Sequence, residues 1–208
     1  FLVDTGVPTY TAGQDRDASR SSAAHNGPRL TGAEPIEFWK SFRVGRRGYA
    51  GELDLCPLDV APLFAAGWQS GYAHLGADLR RVICLWPGEG LLVADLWRGG
   101  AGGAATSFLI PSDWTAETGH RYSQPGTRLT VQALAGALSA PTAAAYWYRF
   151  GVERRAHRID VVPATTDGQA RAAVFFAWSE NAQVPRQAFV SQLFENLAAA
   201  IPRQAELV

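Results

Sequence analysis

The sequence has no methionine and only two cysteines. Cys56 and Cys84 are too few for a disulfide framework and lack zinc-motif spacing, so both are read as buried thiols. Long apolar runs are missing too. No stretch approaches the roughly eighteen residues of a membrane span, and no secretory leader is visible. A chain without methionine that begins at Phe1, in what reads as mid-strand, is expected to lack its natural start. Its compartment cannot be read from these residues. An excess of charge of either sign is also absent. Nineteen basic and nineteen acidic residues cancel, so no global field would draw the chain to nucleic acid or an anionic membrane. A polyanion would need a local cluster of arginines.

The length of 208 residues suits one domain, spanning 1–208, with a sizeable core. The chain opens with FLVDTG. An apolar strand running into Asp4-Thr5-Gly6 is how an aspartic protease presents its acid. That chemistry needs two carboxylates sharing a proton, and no second Asp-Thr-Gly or Asp-Ser-Gly exists. Asp4 is then either a solvated residue at a strand end or a metal ligand.

A polar stretch from Thr9 to Asn26 reads as an excursion loop, closed by His25 and Asn26, with a turn at Thr31–Glu34. From Phe38 onward, short β-branched or aromatic segments alternate with Gly, Pro and Asp. RRVICLW and GLLVADLW, joined by Pro87-Gly88-Glu89-Gly90, form the clearest hairpin. The pattern predicts an all-β fold, an antiparallel β-sandwich. Leu58 to Ala66 is expected to form a short helical turn. Near the C-terminus, Phe189, Val190, Leu193, Phe194, Leu197 and Ile201 recur at helical spacing between Pro185 and Pro202. They predict a docking helix that packs on the sheet.

Asp4 and His25 can converge if the polar loop folds back, and zinc accepts such mixed donors. Two residues do not complete a site that wants four ligands, or three and water. His74, His120 and His157 have no companion at ligand spacing and are read as structural or surface residues. Arg43, Arg46 and Arg47 could fork a carboxylate or sulfate, or pair with Glu37, Glu52 or Asp54.

The order of segments, FLVDTGVPTY, an arginine-containing loop, RSSAAHN, FWKSFRVGRRGYA and RRVICLWPGEGLLVADLWRG, resembles the β domain of the heparinase II/III-like polysaccharide lyases. That superfamily includes alginate lyases. The match covers most of residues 1–100, with Thr5 where the family has proline and Gly27-Pro28 where it has a strand-forming pair. The resemblance implies a helical (α/α) toroid preceding this domain and β-elimination of a uronic-acid-containing glycan in the cleft between them. The catalytic residues are expected upstream of Phe1, so the fragment alone is expected to be inactive or nearly so. It also implies an anionic polysaccharide or oligosaccharide as partner and a periplasmic or secreted location. Residue by residue, it makes Asp4 and His25 ligands of a structural zinc. A third ligand would come from a His-x-His-x-Asp segment ahead of the opening strand. Asn26 and Thr5 would orient the ligands, while Tyr10 and Arg20 would border the cleft and touch substrate.

The alternative is a non-catalytic carbohydrate-binding sandwich using Trp39, Trp68, Trp97, Trp114, Tyr146 and Trp147. Aromatics at such positions are more often core than platform.

Overall fold

The structure, a computed structural model, describes residues 1–55, 63–100 and 103–202. The strands are β1 (Pro28–Leu30), β2 (Phe38–Trp39), β3 (Arg43–Val44), β4 (Ala50–Asp54), β5 (Leu63–Gln69), β6 (Ala77–Trp86), β7 (Gly90–Gly99), β8 (Ala104–Pro111) and β9 (Thr115–Ala116). They continue with β10 (Arg121–Gln124), β11 (Thr127–Ala135), β12 (Ala137–Leu138), β13 (Thr142–Arg149), β14 (Val152–Val162), β15 (Ala164–Thr166), β16 (Gln169–Ala177) and β17 (Ile201–Pro202). The helices are α1 (Gln14–Arg20) and α2 (Gln187–Ala199).

Among the described residues, the larger sheet runs β17-β4-β5-β6-β7-β16-β11-β10-β9, with β15 on β16. The smaller runs β1-β8-β14-β12, with β13 also on β14. The named strand pairs are antiparallel, as the sandwich reading expects. The hairpin of β6 and β7 closes with Trp86 opposite Gly90, and Gly88 supplies the left-handed residue of its loop.

Side-chain alternation along β7 explains the layers. Val93 and Trp97 face the smaller sheet, where Phe108, Ile110, Ile159 and Val161 meet them in the main core. Leu92, Ala94 and Leu96 face the other way, onto Val190, Leu193, Phe194 and Leu197 of α2. The apolar runs of β7 and β16 are nearly continuous because a sheet and a helix cover their two faces. The helix therefore closes the outer face of the larger sheet, as its stripe predicts. Ile201 leaves that stripe: it is exposed and belongs to β17, paired with Asp54 of β4.

Two local expectations are corrected. Residues 63–66 are not a helical turn but the start of β5, with Leu63 opposite Leu85; the rest of that segment, and Cys56, lie outside the described residues. Leu63 and Phe64 are both exposed, and β4 pairs with the other end of β5, at Gly67–Gln69. The excursion loop contains α1 and a single 3-10 turn at Ser22–Ala24, too short to leave an apolar period. No helix among the described residues is long and apolar enough to cross a membrane.

Candidate functional site

The opening segment is not a ladder strand. It is an extended run bonded at separate points, with the Val3 N–H donating to the Leu109 carbonyl (3.0 Å) and the Thr5 carbonyl accepting from Trp147 (2.8 Å). Gly6 makes an isolated parallel bridge to Trp147 at φ +70. A Cβ there would sit 2.0 Å from the Trp147 carbonyl oxygen, so only glycine lets the chain turn this close to β13. The Thr-Gly that follows Asp4 is thereby explained by backbone geometry.

Asp4 is left projecting at the turn. Its Oδ1 lies 2.8 Å from Nδ1 of His25, 21 residues later, and both side chains are substantially exposed, at 60% and 44%. The loop does fold back as the sequence requires. Asn26 anchors it: its amide donates to the Val3 carbonyl and accepts the Leu109 N–H, both at 2.8 Å. The Asn26 carbonyl accepts from Arg81 at 2.6 Å, and Arg81 forks the buried Asp95 at 2.6 and 2.7 Å. The hairpin thus reaches through the sandwich to hold the backbone next to His25. Thr5 is buried, and its carbonyl, rather than its hydroxyl, has the described partner.

The fit to zinc is half a site. Asp4 and His25 offer two adjacent donors, but no group of three or more His, Cys, Asp or Glu residues converges among the described residues. Asp4 faces an imidazole rather than a second carboxylate, which removes the protease geometry.

Tyr10 is exposed and stacks on Phe150 at 4.9 Å, with Phe42 tilted against it at 5.6 Å. Arg20 does not pair with Asp15 or Asp17. It donates to the Lys40 carbonyl and lies over the Phe38 ring at 4.4 Å, fastening the β2–β3 hairpin to α1. Arg46 donates its guanidinium to the Glu34 carbonyl, while hydrogen bonds from Trp39 and the Arg46 backbone hold the Glu37 carboxyl below the usual range. His74 and His157 each donate to a backbone carbonyl, of Gly71 and Trp114, in structural roles. Of the candidate platform aromatics, Trp97, Trp114 and Tyr146 are buried and Trp39 is exposed.

Below the loop lies a cavity of about 300 Å³ bounded by Thr5, Ser19, Ser21, Leu109, Trp147 and Arg158. Arg158 spans from the Ala23 carbonyl to Asp160 and Ser107, and Arg29 reaches the same Asp160. Burial pushes the Asp160 carboxyl up, but hydrogen bonds from Arg158 and Ser107 and the charges of Arg158 and Arg29 outweigh it and leave the carboxyl below its ordinary value. Sequence reading missed this network because its members are scattered over three strands. A wider concavity, of about 800 Å³ at the β10–β11 and β16 edge, does not include Asp4, His25, Tyr10 or Arg20.

A family model described as heparinase II/III-like, C-terminal, matches residues 1–181. No curated protein matches. Among solved structures, a heparan sulfate lyase mutant from Pedobacter heparinus superposes with TM-score 0.63 at 16% identity, over 89% of this chain and 29% of that one. A structure named heparinase III gives TM-score 0.60 at 19% identity, over 88% and 28%. A heparinase III gene product gives TM-score 0.64 at 12% identity, over 87% and 28%. The chain spans less than a third of the length of these structures, and at these identities the likeness shows the fold.

Proposed function

Because the chain belongs to the heparinase II/III-like C-terminal family, we propose that it serves as the β-sandwich domain of a lyase that cleaves uronic-acid-containing polysaccharides by β-elimination. The observation that carries this reading is the match over residues 1–181, within which Asp4 and His25 meet at 2.8 Å. In such a reaction a base removes the C5 proton of the uronate, the developing charge is stabilised at its carboxylate, and an acid assists departure of the C4 oxygen. The base and acid are assigned to a helical toroid preceding this domain. This chain supplies the scaffold and one border of the cleft.

Tyr10 presents an exposed ring and hydroxyl to substrate from the segment that also carries Asp4. Arg20 borders the same side and holds the β2–β3 hairpin in place through Lys40. Asp4 and His25 would be two ligands of a structural zinc, with the other donors coming from outside the described residues. A zinc bound there would supply a rigid cross-link between the opening turn and the end of the loop.

The test is incubation of the full-length protein with heparan sulfate and with polymannuronate, followed by ultraviolet detection of the unsaturated uronate product. Its appearance supports the lyase reading. Binding without elimination favours the carbohydrate-binding alternative. Elemental analysis beside Asp4→Ala and His25→Ala tests the metal: stoichiometric zinc lost in both variants is expected, and zinc retained in both removes the two residues from the ligand set.

A further inference from the structure

The tip of the β13–β14 hairpin carries a ridge of aromatic rings and guanidinium groups with no role in the sandwich. We propose that this ridge is a non-catalytic docking track for an anionic polysaccharide, binding its carboxylate or sulfate groups. Choosing a glycan as the anion rests on the lyase reading above; the anion site itself stands on its own geometry.

Its centre is Tyr148, an exposed ring with the guanidinium carbon of Arg154 4.1 Å and that of Arg149 5.4 Å from its centroid. Arg29, Arg80, Arg81, Arg98, Arg128 and Arg158 each lie against a carboxylate. Arg149 and Arg154 have no such partner among the described residues and are exposed. Glu153, between them in sequence, pairs with Trp147, and strand alternation directs it away from the face that Arg154 shares with Tyr146. Both guanidinium groups sit within cation–π range of Tyr148 on exposed residues, and a guanidinium can fork an oxyanion with its N–H groups.

The ridge continues onto the segment bearing Asp4. Phe150, 60% exposed at the hairpin tip, lies nearly parallel to Tyr10, with an interplanar angle of 22°. Phe42, 71% exposed, flanks Tyr10, and the Arg16 guanidinium sits 5.4 Å from the Tyr10 centroid and 5.9 Å from that of Phe42. Three rings from three separate segments leave hydrocarbon surface to water, an arrangement that marks a binding surface. A uronate or sulfated sugar has the matching chemistry, an apolar C–H face with anions on its rim. The exposed ring surfaces of Phe150 and Phe42, which flank Tyr10, accept the face, and the guanidinium groups beside Tyr148 accept the rim. An acidic peptide would use the arginines but leave the rings uncovered.

The test measures fluorescence anisotropy of labelled heparan sulfate and polymannuronate hexasaccharides with the full-length protein, across a range of sodium chloride. At least one is expected to bind. Arg149→Ala with Arg154→Ala should weaken that binding by about ten-fold or more at low salt and flatten its salt dependence. Phe150→Ala should weaken it by about five-fold. Arg149→Lys with Arg154→Lys, which keeps the charge but loses the fork, should retain part of the affinity. Arg128→Ala, on the other sheet, should leave it unchanged. All variants are expected to melt like the wild type, since the substituted side chains are exposed. Unaltered binding in the double alanine variant overturns the proposal, as does failure of both hexasaccharides to bind. Poly-glutamate of equal charge binding as tightly would overturn the glycan assignment in favour of an acidic polypeptide. Unsaturated-uronate formation is followed on the same samples. Binding without elimination keeps the track and removes the lyase reading, whereas elimination with unaltered binding in the double variant does the reverse.

Discussion

The side-chain amide of Asn26 does the work of a strand residue beside Leu109. It accepts the Leu109 N–H at 2.8 Å, just past the point where β1 stops pairing with β8 at Pro28 and Thr106. Its amide nitrogen passes the bond on to the Val3 carbonyl, at 2.8 Å. One side chain therefore splices the opening segment onto the sheet and fixes the residue next to His25.

This splice makes Asn26 sensitive to conservative change. Asn26→Ala leaves two backbone groups unpaired, at about 1–3 kcal/mol for each that is sealed from water. Asn26→Asp keeps the acceptor for the Leu109 N–H but sets a carboxylate oxygen against the Val3 carbonyl. Urea melts should show both variants destabilised, and amide exchange should show Leu109 losing protection in Asn26→Ala. Wild-type protection of Leu109 in Asn26→Ala would contradict the role.

Much of the fold was legible because burial imposes periods on sequence. The β6–β7 hairpin followed from two apolar runs around Pro87-Gly88-Glu89-Gly90, and the α2 stripe from Val190, Leu193, Phe194 and Leu197, which the structure buries against the sheet. The return of His25 to Asp4 was visible only as a possibility and through segment order, since the 20 residues between them carry no apolar period. Asn26 and Arg80 were not legible in their roles. Each works by bonding backbone atoms distant in sequence, and side chain to backbone pairing leaves no complementary residue to find. Residues 63–66 misled because Ala65, Ala66 and Gly67 suit several conformations, and only pairing with β6 makes them a strand.

Gly6→Ala should be among the most damaging substitutions in the opening segment. The left-handed backbone alone costs a non-glycine residue about 1–2 kcal/mol. The new Cβ would also have to displace the Trp147 carbonyl, which lies 2.0 Å from its ideal position. A lowered thermal midpoint is expected, together with weaker convergence of Asp4 and His25, read as a changed imidazole NMR signal. A midpoint equal to wild type would show that the segment can move off β13 freely.

Arg80 terminates α2 in place of a glycine cap. Its Nη1 donates to the carbonyls of Leu197, Ala198 and Ala200 at 2.8, 3.2 and 2.7 Å, and Arg98 adds a bond to Ala198. These are carbonyls that a helix end leaves unpaired, at the negative pole of its dipole. Arg80→Ala should therefore loosen α2 first, with hydrogen exchange rising across Gln187–Ala199 before it rises in β7. Arg80→Lys keeps a charge but not the fork, and should recover only part of the protection. Uniform loss across both elements would mean that α2 and the sheet open as one unit.

Asp160 ties stability to acid. Its folded carboxyl lies below its ordinary value, held there by hydrogen bonds and charge from Arg158, Ser107 and Arg29 against the opposing effect of burial. A carboxyl depressed by folding contributes stability above its unfolded pKa of about 4, and that contribution fades as pH falls through the lower folded value. The thermal midpoint should thus fall on acidification below about pH 4, and part of that fall belongs to Asp160. Asp160→Asn should melt lower than wild type at neutral pH, because Arg158 and Arg29 lose their counter-charge in a partly buried setting. The difference between the two proteins should then narrow as pH drops, because the wild-type residue also becomes neutral. Parallel midpoint curves down to pH about 2 would place the acid sensitivity elsewhere and show that the network contributes packing rather than charge.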